Sequence, residues 1–149
     1  MRMRVTLTDG GRKAAGFTAK AKGDCVARAI AIASGRPYAE VHARLAAGRG
    51  SQRATPRTGK QEASADNGVH VRRKWCQDYM RELGFVWVPT MGIGTGCTVH
   101  LRRGELPNGR LIASLSKHWT AVIDGVIFDN HDPSRGGTRC VYGYWKLNQ

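Results

Sequence analysis

Apolar side chains recur along this chain in two rhythms, one helical and one strand-like. Val26, Ala29, Ile30 and Ala33 fall at i, i+3, i+4 and i+7, the spacing that lines one face of an α-helix. Asp24 stands ahead of the run as an N-cap for Ala27 or Arg28, and Gly35 follows as a C-cap, so the spacing predicts a helix over 25–34. Its alanines would allow close packing on a neighbouring sheet. A second helix is expected after Arg36-Pro37, through Tyr38, Val41 and Leu45. A third stripe, Val71, Trp75, Tyr79 and Leu83, with Cys76 and Met80 beside it, predicts a helix that ends at Gly84.

The strand-like rhythm dominates elsewhere. Arg4-Val5-Thr6-Leu7-Thr8 reads as a short strand before an Asp9-Gly10-Gly11 turn, and Phe85–Pro89 as another strand. Segments 111–116, 119–123, 126–130 and 140–145 read as four more, with Asp124-Gly125 as a hairpin turn. Residues 99–106 are left as a short helix or turn. Residues 48–68 hold almost no large apolar side chain and are expected to form an exposed mobile loop, and the glycine-rich link at 90–98 a flexible one. Helices followed by clustered strands imply an α+β fold with an antiparallel sheet. The length, 149 residues, fits one domain over 1–149, and no internal repeat is evident.

Composition changes this picture in three ways. No apolar run approaches the ~20 residues that span a bilayer, and the basic start Met1-Arg2-Met3-Arg4 lacks the apolar stretch of a signal peptide, so a cytoplasmic protein with no membrane partner is expected. The net charge is +13, from 24 Lys and Arg against 11 Asp and Glu, which favours acidic partners. The basic residues are dispersed from Arg2 to Lys146, however, with short clusters such as Arg72-Arg73-Lys74, and no nucleic-acid motif accompanies them. Finally, Cys25, Cys76, Cys97 and Cys140 form no CxxC pair. No metal or other cofactor is called for, and Cys76, Cys97 and Cys140 are expected as reduced, partly buried thiols.

Cys25 differs from the other three. At a helix N-terminus it would meet unsatisfied N–H groups and the positive end of the helix dipole, both of which favour thiolate over thiol. Arg28, one turn on, would add favourable charge. Some ninety residues later, a two-residue turn at Asp124-Gly125 sets 123 opposite 126 and therefore 120 opposite 129. Strand alternation then puts His118, Thr120, Asp129 and His131 on one face, with Asn130 on the other. Asp129 becomes a diagonal neighbour of His118, able to accept an imidazole N–H and fix its tautomer. Each residue also has a plainer reading: Cys25 as a small core residue, His118 as a surface histidine beside Lys117, Asp129 as a turn acid before Asp132-Pro133. The backbone N–H of Cys25 is a candidate oxyanion donor, with Thr18, Lys20 and Lys22 as side-chain candidates.

The order Cys25 on the first long helix, His118 on a strand and Asp129 on the next resembles papain-like cysteine peptidases, closest to the compact bacterial group that includes bacteriocin-leader-processing peptidase domains. The likeness covers roughly 23–45 and 111–132. The run from Gly94 to Trp145, with Val99-His100-Leu101, Glu105-Leu106-Pro107 and Thr138-Arg139-Cys140-Val141-Tyr142-Gly143-Tyr144, also looks like small proteins of phages and their bacterial hosts. The resemblance implies a papain-like fold, a cysteine-bearing helix packed on an antiparallel sheet, with Cys25 as nucleophile, His118 as general base and acid, and Asp129 as orienter. It also implies a peptide or protein substrate, and a bacterial or phage-infected cytoplasm (or a virion) as the place of action. One departure stands out: papain-like enzymes carry a glutamine about six residues before the cysteine, and here that position is Ala19.

Three function classes follow. A cysteine peptidase or isopeptidase-like thiol hydrolase leads, with acyl transfer to an amine as a variant on the same residues. A non-catalytic phage or host interaction protein on the same scaffold is the second, and a basic nucleic-acid-binding module the third. Loop 48–68 and the 92–97 link are the expected substrate-binding elements.

Overall fold

A computed structural model of the chain describes residues 2–18, 23–50, 69 and 71–148. In chain order these form β1 (Arg4–Leu7), α1 (Cys25–Ser34), α2 (Tyr38–Gly50), α3 (Lys74–Glu82), β2 (Phe85–Pro89), β3 (Arg110–Leu115), β4 (His118–Ile123), β5 (Val126–Asp129), a short 3-10 turn (Arg135–Gly137) and β6 (Gly143–Leu147). The strands make one six-stranded sheet in the order β1-β5-β4-β3-β6-β2. The fold is therefore α+β, and the sheet is mostly antiparallel. The expectation of a wholly antiparallel sheet is corrected at one edge, where β1 pairs parallel with β5, Arg4 opposite Val126 and Leu7 opposite Asp129. A parallel pair requires a long crossover, and the three helices lie between these two strands in the chain.

The central strands are covered on both faces. Buried Val26, Ala29, Ile30 and Ala33 of α1 cluster with Ile112, Trp119, Ala121 and Trp145 on one side of the sheet. On the other side Leu111, Ala113, Leu115, Val122 and Ile127 cluster with Met3, Leu101 and Val141. This is why β3 and β4 read as near-continuous apolar runs rather than as clean alternation. Truncating a side chain such as Ile30, fully buried here, is worth roughly 2–5 kcal/mol of stability by analogy with other cores. Gly35 closes α1 in the left-handed region at φ 76°, its N–H donating to the Ala31 carbonyl at 3.0 Å, as the C-cap reading requires. The α2–α3 approach is close enough that a Cβ at Gly48 would collide with the Trp75 indole.

Several sequence expectations need correction. Asp24 makes no side-chain cap on α1; its carboxylate is drawn elsewhere. The third helix starts at Lys74, with Val71 in the preceding turn. Residues 99–106 form turns, not a helix, and His100 bridges Cys140 antiparallel, so the last regular strand starts at Gly143 rather than at 140. That bridge, with Val141 N–H donating to Val99 O and Leu101 N–H to Arg139 O, both at 2.8 Å, draws the 97–101 and 139–141 segments together. Cys97 and Cys140 consequently form a disulfide, with Cα atoms 5.9 Å apart, and are not the reduced thiols expected. Residues 48–50 end α2; the rest of the loop expected at 48–68 lies outside the described residues. Among the described residues no helix is long and apolar enough to cross a membrane.

Candidate active site

The β4–β5 hairpin turns at Asp124 (φ 48°) and Gly125 (φ 79°), the doubly positive φ pattern of a tight two-residue hairpin loop. Ile123 faces Val126 and Ala121 faces Phe128, the register read from the sequence. His118 begins β4 and Asp129 ends β5, so antiparallel pairing brings both to one end of the sheet. The first residue of α1, Cys25, comes to the same end.

The three side chains meet. His118 Nε2 lies 2.7 Å from Asp129 Oδ2. With Nε2 committed to the carboxylate, Nδ1 is the ring nitrogen left to face the Cys25 thiol, whose ionised form His118 favours. The Trp119 backbone N–H favours the thiolate as well. Cys25 is half-buried, neither sealed in the core nor fully exposed.

Charge is arranged to hold this thiol ionised. Burial by itself raises the Cys25 pKa, but the His118 and Trp119 hydrogen bonds and the His118 and Arg28 charges outweigh it, leaving the thiol below its ordinary value. Burial pulls His118 down, yet the bonds to Asp129 and Cys25 push it up to about 9. Burial pushes Asp129 up, but His118, Arg28 and Thr120 hold it at about 2. These directions favour the thiolate of Cys25 and the imidazolium of His118, with the Asp129 carboxylate behind the ring.

Asp129, only 1 % exposed, is held from all sides. Oδ2 also accepts the Thr120 hydroxyl at 2.7 Å. Oδ1 accepts the Asn130 backbone N–H at 2.7 Å and faces Arg28, whose Nε and second terminal nitrogen lie at 3.1 and 3.0 Å. Arg28 is 5 % exposed and forms an ion pair with Asp24 as well. Asp24 accepts the Tyr38 hydroxyl at 2.9 Å, and Tyr38 accepts from Arg12 at 2.9 Å. Burial, with the Asp24 carboxylate, pushes the Tyr38 phenol well up, so it stays a donor at neutral pH.

This network accounts for the missing cap. The Asp24 carboxylate is engaged by Arg28 and Tyr38, and among the described residues no side chain accepts from the first-turn N–H groups of α1. Those donors stand beside the sulfur, where an oxyanion would form. Of the proposed side-chain donors, Thr18 is exposed and makes no bond to the site; Ala19, Lys20 and Lys22 lie outside the described residues.

The sequence reading named Cys25, His118 and Asp129 but assigned no site role to Thr120 or Tyr38, took Asp24 as a helix cap, and gave Arg28 only a general role. A lone arginine among Ala27, Ala29 and Ile30 was the available signal, because a buried guanidinium needs carboxylates around it. Asp129, not Asn130, is the partner of His118; the Asn130 side chain instead bonds His131 Nδ1 at 2.6 Å. His131, 54 % exposed, stands with its ring 5.1 Å from that of His118. His118, Asp129 and His131 thus offer ligand atoms within 4.8 Å of one another, where a divalent cation would fit by distance. The Asp129 oxygens are already engaged by Arg28, Thr120, Asn130 and His118, so a cation would have to displace a guanidinium or a hydroxyl.

No family model, no curated protein and no solved structure matches this chain.

Proposed function

We propose that the chain is a cysteine hydrolase of papain-like type that cleaves a peptide or isopeptide bond. The observation that carries this reading is the unbroken line from the half-buried Cys25 thiol through His118 to the saturated Asp129 carboxylate. The Cys25 thiolate attacks the carbonyl carbon. Negative charge collects on the carbonyl oxygen, toward the uncapped N–H groups at the start of α1. His118, as imidazolium, gives its Nδ1 proton to the leaving amine, and a thioester remains on Cys25. His118, now neutral, takes a proton from water, hydroxide adds to the thioester, and collapse releases the acid and restores the thiolate. An acceptor amine in place of water would give acyl transfer on the same residues.

Asp129 keeps its charge throughout, orienting the ring and stabilising the imidazolium. Arg28 and Thr120 hold Asp129 in turn, and Asp24 with Tyr38 holds Arg28, so the orienting carboxylate is fixed by groups that never touch substrate. The backbone donors of α1 supply an oxyanion site without the glutamine that Ala19 replaces.

A mild electrophilic probe tests the reading. Wild type is expected to label at Cys25 at a pH below the ordinary thiol range, with labelling abolished in Cys25→Ala and strongly slowed in His118→Ala. A thiol that reacts only in the ordinary thiol range, indifferent to His118, would instead support the non-catalytic interaction protein. The +13 charge keeps a basic nucleic-acid module in view. That reading predicts binding that falls steeply with salt and ignores Cys25→Ala. The cytoplasm remains the proposed location.

A further inference from the structure

Trp119 has two functions in this fold. Its backbone N–H favours the Cys25 thiolate, and Cys25 packs against the core cluster that holds its ring. Its side chain lines a groove of about 410 Å³ formed by α3, β2, β6, the end of β3 and the start of β4. The size suits one large side chain and its flanking backbone. The walls are aromatic, with Trp87, Tyr142 and Trp145 beside Trp119. Trp87 and Tyr142 remain about two-fifths exposed, a substantial apolar surface left uncovered.

Two further observations bear on the occupant. The Trp119 indole N–H is buried, in a residue 4 % exposed, and has no hydrogen-bond acceptor. A buried donor without a partner is uncommon, and a ligand carbonyl or carboxylate would satisfy it. The rim also carries Arg72 and Arg81, while no carboxylate is among the described residues that line the groove. Arg81 shares Asp78 with Lys74 at the helix surface, so the local balance stays positive.

We infer that this groove selects the substrate: it seats an aromatic or large apolar side chain of an acidic peptide segment, with carboxylates beside that side chain meeting Arg72 and Arg81 and an acceptor oxygen meeting the Trp119 indole N–H. Taken with the thiol-hydrolase reading on which it rests, a segment seated here lies near the nucleophile, because Trp119 lines the groove and belongs to the core cluster against which Cys25 packs. The selecting element is thus an aromatic wall on the sheet, in addition to the loop 48–68 and the 92–97 link expected from the sequence.

The test uses the full chain carrying Cys25→Ala, which cannot turn a peptide over. Capped pentapeptides with a Glu-Phe-Glu, Lys-Phe-Lys or Glu-Ala-Glu centre are titrated while the indole N–H signals of the four tryptophans are followed by NMR. Glu-Phe-Glu is expected to bind about tenfold more tightly than either control and to shift one indole signal, identified as Trp119 by its loss in Trp119→Phe. The double variant Arg72→Glu/Arg81→Glu, changed only at exposed positions, keeps the fold and is expected to reverse the preference toward Lys-Phe-Lys. Added salt should narrow the gap between the charged peptides. Equal binding of the acidic and basic peptides, binding that leaves every indole signal in place, or no binding of any peptide overturns the proposal. Electrophile labelling of wild-type Cys25 reports separately on the hydrolase. Normal labelling without peptide selection overturns the groove alone; peptide selection without an activated thiol overturns the hydrolase alone.

Discussion

Cys25 and Cys76 are the two free thiols of the described chain, each near the start of a helix in the same core cluster, and their chemistry is opposite. Cys76, on α3, is fully buried, and burial alone pushes its thiol up to about 12. Cys25, at the first position of α1, is also penalised by burial, but two hydrogen bonds and two positive charges reverse the sign. The helix end matters less than what the sheet brings to it. Without His118 and the Trp119 N–H, Cys25 would be another small core residue, which is the plain reading its sequence position allowed.

The comparison can be broken at several points. The largest effect is expected from Cys25→Ala, which should remove all turnover and probe labelling, while Cys76→Ala leaves both intact; intact-mass measurement after labelling distinguishes them. Next, His118→Ala should lower turnover by about 10³-fold or more and return Cys25 alkylation to the ordinary thiol range, making its pH curve resemble that of an unassisted thiol. Asp129→Asn should reduce kcat by about 10²-fold or more through loss of the imidazole's orientation. Asp129→Ala should also destabilise by roughly 3 kcal/mol, read from chemical denaturation, because it removes one of the two carboxylates that pair with the buried Arg28 and the acceptor of His118.

A smaller effect concerns pH. Folded His118 titrates at about 9, above its ordinary 6.5, so the stability it contributes is complete below 6.5 and is lost as pH rises through about 9. The melting-temperature advantage of wild type over His118→Ala should shrink over that interval. Turnover should fall on the same alkaline limb, and the acid limb should lie below the ordinary thiol range. Asp129 behaves oppositely: held at about 2 against an ordinary 3.8, its contribution is complete above 3.8 and lost as pH falls through about 2. The smallest effect is expected from Cys76→Ala, about 1–2 kcal/mol of stability from a small cavity, with the Cys25 pH curve unmoved.

Much of this was legible in the chain because it is local. The i, i+3, i+4 spacing after Asp24 and the C-cap Gly35 specify α1 to the residue, since a helix is built from contacts within one turn. Asp124-Gly125 specifies the hairpin register, and strand alternation then makes His118 and Asp129 neighbours without further information. The errors share one cause. The Asp24 side chain fitted a local cap, but a buried arginine competes for a carboxylate more strongly than a backbone N–H does, and Arg28 has it. Cys97 and Cys140 gave no pairing signal because their approach depends on two irregular segments that meet across 43 residues. The parallel placement of β1 was equally hidden, as nothing in a four-residue strand names its partner.

By itself, then, the sequence determined the thiol's place at a helix start, the imidazole–carboxylate pairing on one hairpin and the α+β character, because each follows from periodicity or from a turn of defined geometry. Tertiary structure decided that the thiol and the imidazole come to one end of the sheet, that Asp24, Arg28 and Tyr38 brace the carboxylate, that two cysteines are bonded, and that Trp119 lines an aromatic groove. These depend on segments tens of residues apart converging at one end of the sheet, where burial and charge compensation, rather than local propensity, select the partners.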